Sequence, residues 1–222
     1  VSGAVKADLS KYVPRLAPTS VIHNPVLNSE GSPDPGFEGK TKGLIVTSSR
    51  LQSYKRVDEA IRALTHLESS FRLVVLGDGP ERQHLETLAD ELDLSDRVSF
   101  AGYVDDPFVW YRRAEIFVLP STWEGFGNVL IESMACGCQV VANADAWAPS
   151  EVLGYGKYGF LYHGGDACAL AEAIREASNK PKARDSLVKY ARRFTDKRAA
   201  HEYEALFDAL LPRHPSLGPE AR

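Results

Sequence analysis

Two glutamates separated by seven residues bound the stretch EGFGNVLIE, from Glu124 to Glu132. Glycines at Gly125 and Gly127 precede a helical pattern that starts near Asn128. The backbone amides of Gly125, Phe126, Gly127, Asn128 and Val129 could therefore approach a ligand closely at a helix start. Glu132 falls one helical turn past Asn128, inside the apolar run VLIESMAC. A carboxylate is costly to bury there unless something donates hydrogen bonds to it, and the two vicinal hydroxyls of a ribose would do so. Glu124 lies in the loop, where it could meet another polyol or a developing positive charge. The plainer alternative is a solvated Glu132 and an ordinary loop glutamate.

A second chemical stretch is SSRLQSYKRVDEA, which follows an apolar run and places Arg50 and Lys55 between a strand end and a helix start. Backbone N–H groups and the helix dipole already favour an anion at such a place, and a diphosphate would suit. Basic residues merely solvated near a helix start are the alternative. The loop GDGPERQ has Gly77 and Gly79, but Arg82 occupies the third glycine position of a GxGxxG dinucleotide fingerprint. A tight strand-to-helix turn, with Pro80 opening the helix, explains it without a ligand. Cys136, Cys138 and Cys168 lack metal-ligand spacing and read as small buried core thiols, and no pair of the six histidines has helical ligand spacing.

The elements that must position these residues are legible in the apolar pattern. Short runs at 43–48, 71–77, 97–102, 115–120, 139–144 and 159–162 are nearly continuous in apolar residues, as strands of a parallel sheet covered on both faces should be. Between them lie helical periods: Val57, Ala60, Ile61, Leu64 and Leu67 on one face, with Asp58 and Glu59 in the opening turn, then Leu85, Leu88, Ala89 and Leu92. Asp166 can cap a helix bearing Leu170, Ala171 and Ile174. A final helix, roughly Asp196 to Leu211, shows Ala200, Tyr203, Phe207 and Leu210. The sum is α/β, a doubly wound Rossmann-like parallel sheet, whose ligands bind at the carboxyl ends of the strands.

The wider sequence narrows the function. The 222 residues are 44% hydrophobic and 25% charged, enough for a sizeable core. Thirty acidic against 26 basic side chains give a net charge of −4 with no long basic block, which argues against a general nucleic-acid binder. No apolar run approaches the ~18 residues of a membrane span, so any membrane contact is expected to be peripheral. The first residue is Val1 and the single methionine is Met134, which suggests a fragment or processed form. With no leader pattern and an odd number of cysteines, a reducing, cytoplasmic setting is expected. Residues 1–40 read as a short helix (SGAVKADLSKYV) and a linker (Leu27 to Lys40), 41–211 as the α/β domain, and 212–222 as a disordered tail.

At these residues the sequence resembles the carboxyl-terminal nucleotide-sugar-binding domain of retaining GT-B glycosyltransferases of the family four type, over roughly Val21 to Leu211. SSRLQSYKRVDEAIRAL, LVVLGDGPERQHLETLA, VSFAGYVDD and above all EGFGNVLIE followed by SMACGCQVVA carry the likeness. The resemblance implies half of a GT-B fold. Arg50 and Lys55 would hold the donor diphosphate, and Glu124 would lie by the transferred sugar as a catalytic carboxylate. Gly125, Phe126 and Gly127 would face sugar and phosphate, Glu132 would take the ribose hydroxyls, and Gly102, Tyr103, Val104 and Asp105 would wall the base. It further implies a UDP- or GDP-sugar donor, no other cofactor and no metal. The partners would be an amino-terminal acceptor domain missing from this chain and, in polysaccharide or glycolipid synthesis, a membrane-associated glycolipid acceptor. Three other readings compete. An epimerase would need a differently placed histidine and carboxylates; a nicotinamide-dependent dehydrogenase is opposed by the failed glycine fingerprint; a non-catalytic nucleotide-sugar sensor would keep the same binding residues.

Because no histidine, cysteine or carboxylate set has metal-ligand spacing, nucleotide affinity is expected to be the same with and without excess EDTA in a calorimetric titration. A strict divalent requirement would contradict this.

Overall fold

The computed structural model describes residues 2–13, 19–29 and 39–211; the central part of the expected linker and the expected tail lie outside them. The apolar runs form six strands: β1 (Thr41–Ser48), β2 (Arg72–Leu76), β3 (Val98–Gly102), β4 (Ala114–Leu119), β5 (Gln139–Asn143) and β6 (Phe160–Tyr162). All pair in parallel in the order β3-β2-β1-β4-β5-β6. The helices are α1 (Gly3–Tyr12), α2 (Val57–Ala63), α3 (Arg82–Glu91), α4 (Phe108–Arg113), α5 (Asn128–Ala135), α6 (Ala148–Val152), α7 (Ala167–Asn179), α8 (Arg184–Ala191) and α9 (Asp196–Leu210). The chain has the Rossmann-like α/β fold that the apolar pattern implies.

Two cores follow from the two-residue period of the strands. Ile45, Val75, Ile116, Val118 and Val141 face one side with Ile61 of α2, Leu88 of α3 and Ile174 of α7. Their neighbours Val46, Leu76, Phe117, Leu119, Val140 and Ala142 face the other with Tyr111 of α4, Ile131 of α5 and Leu187 of α8. Both faces of the inner strands are thus dry, which is why β5 is buried at every residue. The expectation of two covered faces fails at β3, one of the two edge strands, which alternates between buried and open positions.

Two further expectations need correction, and a third element, α9, is noted with them. Pro80 lies in the turn ahead of α3, which begins at Arg82. Cys136 and Cys138 are buried, but Cys168 is exposed, since it follows the Asp166 cap of α7 on the helix's open side. In α9, Ala199 is the buried residue, while Ala200, Tyr203, Phe207 and Leu210 face outward. The periodicity of that helix is real, but its apolar stripe does not meet this core.

The loops at the carboxyl ends of the strands are held by backbone contact. A Cβ on Gly77 would stand 2.0 Å from the Ser49 carbonyl oxygen, and one on Gly79 2.3 Å from that of Leu51. Leu51 N–H donates to the Asp78 carbonyl (2.9 Å), and Glu81 N–H donates to that of Leu51 (3.1 Å). Close approach of two backbones therefore explains both glycines of GDGP.

A second brace is Glu59, 2% exposed in the first turn of α2. Its two carboxylate oxygens accept from Gly165 N–H at 3.2 and 3.1 Å, and the Arg56 guanidinium stands 3.3 Å away. Arg56 has φ 51°, unusual for a residue with a side chain, and also binds Asp58 at 3.2 Å. Glu59 thus ties the loop after β1 to the turn after β6. Glu59→Ala would remove the acceptor of the Gly165 amide and one of the two carboxylates on Arg56, at a cost of about 1 kcal/mol. The expected result is a lower urea midpoint, with a smaller drop for Glu59→Gln; an unchanged midpoint in both would show that the brace carries no stability.

Candidate active site at the reversal of strand order

The chain leaves β1 toward β2 and β3 on one side of the sheet, and β4 continues to β5 and β6 on the other. The loops after β1 and β4 therefore diverge and leave a crevice above the carboxyl ends of those two strands. The first loop runs through Ser49 and Arg50 into a single 3₁₀ turn, Ser53–Lys55, which left-handed Arg56 closes. The second runs from Pro120 to Gly127, whose φ of 85° turns the chain into α5. Between them lies a cleft of about 450 Å³ lined by Ser48, Ser49, Arg50, Lys55, Leu119, Asn24 and the run 124–129. It shares Ser48, Ser49, Arg50 and Val129 with a neighbouring cleft of about 600 Å³, which is also lined by Leu76, Gly77, Asp78, Pro107 and the run 103–105. The two make one continuous trough.

The charges in this trough are unevenly committed. Lys55 Nζ donates to Glu124 Oε1 at 2.6 Å, and the two side chains are only 17% and 12% exposed. The Glu124 amide donates to the Ala146 carbonyl at 3.2 Å, and the Thr122 amide to that of Tyr54 at 2.8 Å, so both loops fix the ion pair. Arg50 is exposed where the clefts meet, and it has no ion-pair or hydrogen-bond partner among the described residues. The Ser49 hydroxyl beside it is buried and unpartnered. A cation without a protein acceptor thus shares a cleft with the start of α5, where the first N–H groups also lack intrahelical partners.

The structure separates other residues that the sequence grouped together. The Phe126 ring is buried against His23 (5.5 Å between centroids) and Phe194 (5.7 Å), so the ring anchors the loop while its backbone reaches the cleft. Gly102 lines neither cleft; with φ 71° it turns the end of β3, and its carbonyl accepts from Gly77 N–H at 2.6 Å. Glu132 is partly buried one turn behind Asn128 and also lines neither cleft. Burial raises its carboxyl above the ordinary value, and the adjacent Tyr111 hydroxyl opposes this in part. Tyr111 is itself fully buried, and its hydroxyl is pushed upward chiefly by that burial.

Several supports of the site had no sequence signal. His23 Nε2 lies 3.1 Å from Glu151 Oε1, which also accepts from Gly3 N–H at 3.0 Å. Ser2 Oγ donates to the Gly125 carbonyl at 3.2 Å, seating the start of α1 on the glycine loop. Trp147 centres a γ-turn of the rare positive-φ kind (φ 72°, ψ −79°), closed by Ala148 N–H to the Ala146 carbonyl at 3.1 Å. Its backbone bridges to Glu124.

Comparison with known proteins decides the family. Residues 30–194 match the family described as Glycosyl transferases group 1. The chain belongs to that family. Among curated relatives, the lipopolysaccharide core biosynthesis glycosyltransferase LpsD of Rhizobium meliloti is 34% identical over 170 residues, covering 74% of this chain and 49% of LpsD. A Campylobacter jejuni N-acetylgalactosaminyltransferase that acts on a diphospho-undecaprenol-linked saccharide is 36% identical over 117 residues, 53% of this chain and 32% of that protein. The chain thus spans less than half the length of either relative. In three dimensions it resembles a glycosyltransferase of Rickettsia africae, with TM-score 0.83 and 20% identity, covering 96% of this chain and 63% of the other. It also resembles the Anabaena protein HepE in complex with UDP, with TM-score 0.67 and 25% identity, covering 77% and 49%. The Rossmann-like α/β fold is shared with these neighbours, whose architecture is GT-B.

The burial of Glu132 gives a pH signature. An unfolded chain ionises this carboxyl near 4.5, the folded chain only at a higher pH, so the parent loses stability as pH rises from about 4.5 through the raised value and is level above it. Glu132→Gln has no such loss. Its stability relative to the parent is expected to climb across that window and then plateau, as read from urea unfolding at stepped pH; a flat difference would mean Glu132 ionises as freely as in the unfolded chain.

Proposed function

We propose that this chain binds the nucleoside-diphosphate-sugar donor of a retaining, metal-independent glycosyltransferase that builds a polysaccharide or glycolipid. The observation that carries the reading is the trough at the reversal of strand order, where Arg50 stands without a partner beside the Lys55–Glu124 pair. Membership of the group 1 family and the UDP complex of a structural neighbour support it.

In this reading Arg50 and Lys55 hold the diphosphate, helped by the amides of 127–129 at the start of α5. A diphosphate draws Lys55 away from Glu124 and frees that carboxylate for the sugar and the positive charge that grows on its anomeric carbon. The bond from the anomeric carbon to the phosphate oxygen breaks, and its electron pair leaves on the diphosphate against the two cations. The acceptor hydroxyl oxygen bonds to the same face of that carbon, and its proton passes to the departing phosphate oxygen. Tyr103, Val104 and Asp105 wall the base, and Gly102 turns the strand end that carries them; Glu132, one turn into α5 behind the lining, meets the ribose hydroxyls only if the nucleotide draws it forward between Asn128 and Val129. We further propose that a second, amino-terminal domain supplies the acceptor wall, in keeping with the share of its relatives' length that this chain spans. The acceptor class follows the relatives: lipid-linked saccharides reached at a membrane surface from the cytoplasm. Among the described residues no helix is long and apolar enough to cross a membrane.

Calorimetry with nucleoside diphosphates tests this. Each lost charge-assisted contact is worth about 1.5–3 kcal/mol, so Arg50→Ala and Lys55→Ala should each weaken affinity roughly tenfold or more. A 2′,3′-dideoxy nucleotide should bind the parent weakly and respond little to Glu132→Ala. Unchanged affinity in both cation variants would end the assignment.

A further inference from the structure

We infer that the base of the donor nucleotide is guanine, read by the Asp105 carboxylate; this rests on the nucleotide-binding reading above and adds the base to it.

The 600 Å³ end of the trough has the make-up of a base compartment. Leu76, Val104, Pro107 and Val129 give it apolar walls, and the Tyr103 ring, 82% exposed, offers a flat face on which a base can stack. Two carboxylates line it, and they are not equivalent. Asp78 is committed: its Oδ1 accepts from Gly79 N–H at 2.7 Å, and its Oδ2 lies 3.7 Å from Arg82. The neighbouring Asp106 lies outside the lining and is likewise occupied, accepting from Phe108 N–H at 3.0 Å and facing Arg112 at 3.6 Å. Asp105 lines the compartment, is exposed, and has no hydrogen-bond or ion-pair partner among the described residues.

An ionised carboxylate can only accept, and its two oxygens are best satisfied by two parallel N–H donors. Guanine presents them, N1–H beside the 2-amino group. Uracil presents a single N3–H between two carbonyl oxygens, which the carboxylate repels. Adenine and cytosine present an amino group beside a bare ring nitrogen, which leaves one carboxylate oxygen against a lone pair. The free carboxylate therefore favours guanine and disfavours the other three. A bidentate contact with a base edge discriminates by about five- to a hundredfold.

The test is calorimetry of this chain with GDP, UDP, ADP and inosine diphosphate, which keeps N1–H but lacks the 2-amino group. GDP is expected to bind at least fivefold more tightly than UDP or ADP, with inosine diphosphate between them. Asp105→Asn should bring GDP down to the level of UDP without weakening UDP, and because Asp105 is an exposed loop residue the variant should unfold at the parent's urea midpoint. UDP or ADP binding as tightly as GDP, or GDP affinity unaffected by Asp105→Asn, would overturn the base assignment while leaving the nucleotide reading intact. Absence of binding by all four would overturn both.

Discussion

β1 and β4 lie side by side while the chain departs from them in opposite directions, and every feature of the trough depends on that arrangement. Parallel strands deliver all their following loops to one end of the sheet, and crossover helices normally fill the space above them. Only where the winding reverses does no helix bridge neighbouring strands. The two loops at that point supply Arg50 and Lys55 from one side and Glu124 to Val129 from the other. Loop length alone could not do this, because both segments would collapse onto each other without the dry core that fixes their strand ends at Ser48 and Leu119.

The Lys55–Glu124 pair shows how this frame sets the electrostatics. Two charges at 2.6 Å, each less than a fifth exposed, have given up much of their hydration and need each other. That keeps the cleft close to neutral where they sit, while Arg50 remains outside the pair and exposed. An anion entering the cleft meets Arg50 without having to displace a protein partner, and it reaches Lys55 only by competing with Glu124. The first residues of α5 line the same cleft. The order of charges, one open and one guarded, is a property of the loops and not of the residue types.

Much of the fold was legible in the sequence because its signals are local. Six apolar runs too continuous for a half-exposed sheet identified strands covered on both faces, and β3 departed most from the rule, since position at a sheet edge is a tertiary fact that its apolar content does not encode. The helical periods of α2, α3 and α7 were legible for the same reason. The outward face of α9 was not, because periodicity shows that a stripe exists and not what it meets. At the site, glycines flanking a glutamate and a basic pair after a strand could be read from spacing. The Lys55–Glu124 contact, the placement of Glu132 behind the wall and the brace at Glu59 could not, since each joins residues from separate loops or depends on the pitch of a helix start.

The glycine loop shows why those unread contacts matter. Gly125 and Gly127 can bring backbone near a ligand only because they lack side chains, and that freedom also makes the loop expensive to order. The protein fixes it from outside the motif. Phe126 is driven into a ring cluster with His23 and Phe194, Ser2 holds the Gly125 carbonyl, and Ala146 takes the Glu124 amide. The last of these comes from the turn that forces Trp147 into a backbone conformation costing on the order of 1–3 kcal/mol. Four residues from outside the loop, two of them preceding the sheet altogether, thus constrain one short loop. The strain at Trp147 is tolerable only because the same turn presents the carbonyl that seats Glu124 opposite Lys55, so the geometry of the ion pair and the strain of the turn are two sides of one constraint.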